Sequence, residues 1–273
     1  MRLVDTHCHL DFDRYQEDLD QVLKRAWEAG VERIIIPAIQ LESSQQVLEI
    51  AARDGRLLAA VGVHPNSCQT WEQTTGARLT EMVRTPRTAA VGEIGLDYYR
   101  SGELRKLQQQ VLIDQLDLAA EFRKPVILHV RNRGDGDRSC IIDLMQVLEH
   151  WRSGISGEGS DAYRERLGVV HSFSGNPAEA EALCEMGFYI GITGPVTFKS
   201  GGMMREVVRH VPRSRLVLET DGPFLTPHPY RGKRNEPAYV RSVADKVAEL
   251  WNCSAEEAAC QTTENAGRLF NWR

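Results

Sequence analysis

The chain has 273 residues, 42% of them hydrophobic, and a formal charge of −5. That is ample apolar material for a large core, and the acidic balance argues against a protein that coats long nucleic acid electrostatically. The longest apolar runs, such as Ile34–Ile36, are far too short to cross a bilayer. Met1–Val4 leads straight into Asp5, His7 and His9, where a secretory signal would need an apolar stretch. The six cysteines are scattered with no C-x-x-C, a pattern expected of reduced thiols in a cytoplasmic protein.

Short β-branched and apolar runs recur along the chain: Leu3–Asp5, Arg33–Pro37, Leu57–Val63, Ala89–Ile94, Pro125–His129, Gly168–His171, Phe188–Ile192 and Leu216–Glu219. Amphipathic helical stretches lie between them, among them Asp18–Ala29, Leu104–Phe122 and Pro177–Met186, the first and last stopped by Gly30 and Gly187. Strands alternating with helices imply βαβ units and a parallel sheet. Eight units at roughly thirty-residue spacing predict an α/β chain forming a single (β/α)8 TIM-type barrel, with residues 1–273 as one domain. An open doubly wound sheet is the alternative, but no G-x-G-x-x-G follows the first strand. Two helical segments, Pro237–Trp251 and Ala255–Phe270, follow the eighth strand, so one is an addition at the C-terminus. Ser254 and Glu257 suggest a capping box for the second. Ser153–Ser160, rich in glycine and serine, reads as a surface loop.

Side chains two apart on a strand share a face. By that rule Asp5, His7 and His9 share one, as do Val91, Glu93 and Gly95; Ile127, His129 and Arg131; Val169, His171 and Phe173; and Val217, Glu219 and Asp221. Five strands thus finish in metal-binding residue types at the edge where barrel enzymes keep their chemistry. His64 follows the third strand as a sixth position. A lone strand-end histidine is commonly a hydrogen-bonded rim residue, and Asp221 could simply cap the Asp-Gly-Pro turn. His7 and His9 leave one face about 6–7 Å apart, close enough to converge on one ion. An isolated Glu93 inside a barrel would be costly unless paired or metal-bound. Together, four imidazoles and two carboxylates at one mouth point to metal.

The segments Asp5-Thr-His-Cys-His9-Leu, Gly62-Val-His-Pro65, Gly92-Glu-Ile-Gly-Leu-Asp-Tyr98, His171-Ser-Phe-Ser-Gly175, Glu219-Thr-Asp-Gly-Pro-Phe-Leu225 and Arg231-Gly-Lys-Arg-Asn-Glu-Pro237 resemble, in order, the signature motifs of the TatD-type metal-dependent DNases of the amidohydrolase-like superfamily. The resemblance implies a metal-dependent hydrolase that cleaves phosphodiester bonds of DNA with a pair of divalent ions. His7, His9, Glu93 and Asp221 would hold one ion, and Glu93, His129 and His171 the other. Glu93 would bridge the two, and His64 would face a substrate phosphate. Asp221 would accept a proton from the attacking water, so Glu93 and Asp221 are the expected catalytic residues. The chain departs from many relatives in the run Arg131–Arg138 and in the longer stretch before the sixth strand.

The mixed nitrogen and oxygen donors suit Zn or Mn, whereas Mg, also a candidate, normally prefers oxygen. Arg231, Lys233 and Arg234 cluster just beyond the eighth strand and, with Arg131, are candidates for contacting phosphates, though charged loops are commonly just solvated. Tyr98 and Tyr230 could stack on a base or simply pack. DNA is the expected partner, as single strands or ends rather than long duplex, with no membrane association. The competing activity is hydrolysis of another ester or an amide, such as an aminoacyl-RNA ester or a cyclic amide, on the same site. Many amidohydrolases bridge their metals with a carboxylated lysine on strand four, where this chain has Glu93.

Overall fold

The computed structural model describes residues 1–134 and 136–272. Asp135, within the Arg131–Arg138 run, and Arg273 lie outside the described residues. Eight parallel strands follow one another in sequence order: β1 (Leu3–Asp5), β2 (Val31–Pro37), β3 (Leu57–Val61), β4 (Thr88–Asp97), β5 (Val126–Arg131), β6 (Gly168–Val170), β7 (Phe188–Ile192) and β8 (Leu216–Leu218). The sheet curls round until β8 meets β1, where Thr6 N donates to Leu218 O at 3.0 Å and Cys8 bridges to Gly222. This is the predicted TIM-type barrel.

The strands are nearly continuous in buried Val, Ile, Leu and Ala because both their faces are covered, as parallel sheets require. Outside, helices lay apolar stripes on the strands. Leu19–Glu28 buries Leu19, Val22, Leu23 and Ala26, a spacing that returns every turn to one side. It ends before Gly30, whose φ of +90° is left-handed and where a Cβ would strike the Met1 carbonyl oxygen.

Inside, Val4, Ile35, Leu58, Ala60, Ile127, Val169, Tyr189 and Val217 form a separate apolar cluster, completed by Ala266, Leu269 and Phe270 of the last helix, Ala255–Phe270. That helix is the predicted addition. Its Ser254–Glu257 capping box is formed, and it plugs the floor of the barrel. Asn265, fully buried, donates to the carbonyls of Arg213 and Leu216, both at 2.7 Å, tying the helix to the start of β8. The lower interior is therefore filled with hydrocarbon, and the polar groups are left to the other end.

Several boundaries move. β4 continues past Ile94 to Asp97, and β3 stops at Val61, so that Gly62, Val63 and His64 lead into a 3-10 helix, Pro65–Thr70. The expected helix Pro237–Trp251 opens as a 3-10 turn, Pro237–Tyr239, before becoming α-helical over Val240–Trp251. The Ser153–Ser160 loop is shorter than its composition suggests, because helices occupy Ser139–Gly154 and Ser160–Arg164. No helix among the described residues is long and apolar enough to cross a membrane.

Candidate metal centre

Backbone hydrogen bonds at the C-terminal rim of the strands fix the histidine-bearing segments. Glu93 N donates to Ala38 O, His171 N to Leu128 O, Asp221 N to His7 O and His9 N to Gly222 O, all at 2.8–2.9 Å. His7 and His9 are thus carried not on a strand but on a turn locked between β1 and the residues after β8. The alternation expected to put Asp5 beside them fails because β1 ends at Asp5. Its carboxylate turns instead to Thr220, accepting from the amide at 2.9 Å and the hydroxyl at 2.6 Å.

Glu93, 3% exposed, divides its carboxylate. Oε2 lies 3.4 Å from His7 Nε2 and 3.6 Å from His9 Nε2. Oε1 lies 2.8 Å from His129 Nδ1 and 3.6 Å from His64 Nε2. Asp221 Oδ1 stands 3.7 Å from the ε-nitrogens of His7, His9 and His171. Among the described residues three ligand-sized groups result: His7–His9–Asp221, His7–Glu93–His171 and His64–Glu93–His129.

This grouping differs from the partition implied by resemblance. His171 stacks on His7, with ring centroids 3.5 Å apart, and aims at Asp221. The cause is its δ-nitrogen, held 3.0 Å from Glu219 Oε2 beyond β8. The partner beside Glu93 and His129 is His64, which was expected to face a phosphate. Its Nδ1 accepts from Asn66 N at 3.1 Å, leaving Nε2 turned toward Glu93.

The electrostatics follow from burial. It holds the His9 imidazole down at about 4 and His64 at about 3, the charge of His129 adding to the latter effect. His7 is pushed well below its usual range by burial and by the charge of His171. Burial would raise the Glu93 carboxyl, but His64, His7 and His129 keep it well below the ordinary carboxylate range. His129 and His171 go the other way. Burial opposes their protonation, but the carboxylates of Asp97 and Glu93 lift His129 to about 9, and Glu219 and Asp221 lift His171 to about 10. Burial, reinforced by Glu93 and Glu219, raises Asp221 to about 7.

The donor set fits divalent metal. His7 Nε2 and His9 Nε2 face each other at 3.2 Å, where at most one can donate, and His7 Nδ1 is buried with no hydrogen-bond partner among the described residues. The lone pairs of neutral His7, His9 and His64 and the ionised carboxylate of Glu93, converging in a buried cleft, are satisfied together by a cation rather than by one another.

Two carboxylates absent from the predicted site support it. Asp97 Oδ2 sits 3.2 Å from His129 Nε2 and accepts from Asn66 Nδ2. Glu219, fully buried, accepts from Ser172 N as well as meeting His171. Asp97 shares strand parity with Glu93, the signal that could have found it, whereas Glu219 was grouped by parity with Val217 and Asp221 without being given a role.

The predicted phosphate contacts fare unequally. Arg131, exposed, lies 4.0 Å over the Tyr99 ring; Arg231, exposed, lies 3.9 Å over Phe198; Lys233 is exposed near Tyr230. Arg234 is not free: it forms a two-pronged pair with Asp18 at 2.8 Å for each prong, stacks on Tyr15 and bonds the Arg14 carbonyl. Tyr98 is buried and donates to Asp143 at 2.6 Å, so it is packing and not a base platform. Tyr230 is stacked on Tyr239.

The TatD related DNase family model matches residues 4–271. The metal-dependent hydrolase YabD of Bacillus subtilis (strain 168) is 38% identical over 268 residues, covering 98% of each chain. The metal-dependent hydrolase TatD of Mycobacterium tuberculosis is 34% identical over 275 residues, covering 98% of this chain and 97% of its own. Among solved structures, YjjV, a TatD homolog from Escherichia coli K12, superposes with a TM-score of 0.88 at 33% identity, covering 100% of this chain and 99% of that one. The chain belongs to the TatD family of metal-dependent hydrolases.

Proposed function

We propose that this hydrolase cleaves phosphodiester bonds of DNA, acting on single strands or ends, with two divalent ions at the barrel mouth. The observation that carries the reading is the divided carboxylate of Glu93, one oxygen facing His7 and His9 and the other facing His64 and His129. A bridging carboxylate between two sets of imidazoles is the arrangement a metal pair needs. His7, His9 and Asp221 would hold one ion with Glu93, and Glu93 with His129 and His64 or His171 the other. Zn or Mn suits these donors better than Mg. Such a pair supplies Lewis acidity toward a phosphoryl oxygen and makes water acidic enough to ionise near neutrality.

The chain's own groups supply the rest. Asp221 Oδ1 faces three histidine ε-nitrogens, which sets its carboxylate at the centre of the site, beside the water that the ions would activate. It takes the proton of the attacking water. Arg131, at the end of β5, and Arg231 and Lys233, on the loop after β8, stand exposed where they neutralise flanking phosphates. The family model's own description, a DNase, supports the same substrate. The six cysteines are all unpaired, which suits a cytoplasmic enzyme.

The deciding experiment combines elemental analysis of metal-reconstituted protein with cleavage of end-labelled single- and double-stranded DNA. Metal-dependent shortening of the single strand is expected. A fully metal-loaded protein that cleaves neither DNA, but hydrolyses other esters or amides, would overturn the proposal.

A further inference from the structure

Phe224 is the large apolar side chain that stands exposed nearest the metal centre in sequence, three residues after Asp221, at 43% exposure. Single exposed apolar groups are ordinary, but this one is built in. Its amide donates to Asp221 O at 2.8 Å. Its carbonyl accepts from Asn235 Nδ2 at 2.6 Å, and the same fully buried amide holds Thr220 O at 2.7 Å. The backbone is therefore pinned to the residue that faces the histidines, while the ring is left to solvent.

The ring is also the outer end of an aromatic path. Phe12 stacks on the His9 imidazole, with centroids 4.7 Å apart and planes 23° apart. Phe224 meets Phe12 edge to face at 5.9 Å. The exposed Arg14 guanidinium lies 5.7 Å over Phe224. Ligand, half-buried ring, exposed ring and cation succeed one another from the centre outward.

We infer that Phe12, Phe224 and Arg14 form a base-stacking subsite that seats the unpaired nucleobase beside the bond to be cleaved. This deepens the nuclease reading and rests on it. A flat apolar ring on a fixed backbone suits a nucleobase of any sequence, because every base offers a π-face. Arg14 adds a cation for the adjoining phosphate. A paired base has both faces already covered by its neighbours in the duplex, so the subsite selects single strands and frayed ends.

The test is a cycle between enzyme and substrate. Phe224→Leu keeps apolar bulk and removes the π-face; Phe224→Trp enlarges it. On a single-stranded oligonucleotide, Phe224→Leu should lower kcat/KM about ten-fold, and Phe224→Trp should retain it. When the base beside the cleaved bond is replaced by an abasic residue, wild type should fall to the level of Phe224→Leu, and the substitution should cost nothing further. Fluorescence anisotropy of a labelled single strand in EDTA supplies a readout independent of turnover, and Phe224→Leu should weaken binding there too. Equal losses for Phe224→Leu on intact and abasic strands, or unchanged binding and kcat/KM, would overturn the subsite while leaving the nuclease intact. A wild-type enzyme that cleaves no oligonucleotide would instead overturn the nuclease reading.

Discussion

Glu219 Oε2 lies 3.0 Å from His171 Nδ1 and accepts the Ser172 amide at 2.9 Å, so one fully buried carboxylate sets the direction in which the His171 ring points. Carboxylates behind metal-binding histidines fix ring orientation and basicity, and losing one costs roughly 10–100-fold in metal affinity. Glu219→Gln should therefore weaken metal binding by about that factor, measured by competition with a chelating dye. Gly191→Ala is a second route to the same defect, because a Cβ there would lie against both Glu219 carboxylate oxygens. Wild-type affinity in both variants would show that Glu219 is not a positioning residue.

Glu93 faces four histidines and His171 does not, so the two positions should separate. Wild type should bind about two divalent ions per chain, and EDTA should abolish turnover. Glu93→Gln should lose more metal and more activity than His171→Ala, as followed by elemental analysis alongside steady-state rates. Full occupancy and wild-type turnover in Glu93→Gln would remove Glu93 from the centre.

The basic loop after β8 should split into two roles. Replacing Arg231 or Lys233 with Ala should lower the slope of log K against log salt for single-stranded DNA by roughly 0.7 each, with metal content unchanged. Arg234→Ala should leave that slope alone and destabilise the fold, because its guanidinium is spent on Asp18. A partly exposed pair of this kind contributes about 1 kcal/mol, a fall of roughly 2 °C in Tm for a chain of this size. A salt slope that drops in Arg234→Ala would return that residue to the DNA surface.

The barrel floor gives a stability prediction remote from the chemistry. Phe270, 6% exposed, fills the interior together with Leu269. Phe270→Ala should cost about 3 kcal/mol through lost burial and the cavity left behind, read by urea denaturation. Metal affinity should hold, since the histidines occupy the opposite end.

The eight strands were legible because parallel strands covered on both faces write themselves as apolar runs. His7, Glu93, His129, His171 and Asp221 could be singled out as candidates because each lies near or just beyond the end of such a run. What alternation could not show is where a strand stops. β1 ends at Asp5, so the parity that grouped Asp5 with His7 and His9 no longer applies, and Asp5 braces Thr220 instead. Nor could spacing show partners distant in sequence. Arg234 looks like its neighbours until Asp18, 216 residues away, is brought against it. Asp97 was quoted within a motif but not singled out, because its use depends on the ring of His129, 32 residues on.

The helix that seals the floor, Ala255–Phe270, follows all eight strands in the chain. During synthesis the interior therefore stays open at that end, its Val4, Ile35 and Val217 side chains wet, until this segment has left the ribosome. The nascent barrel is exposed to sticking and to proteases for as long as that takes. A ribosome stalled before residue 255 would release a chain with its strands complete and its core unsealed, a substrate for quality control rather than a slower enzyme.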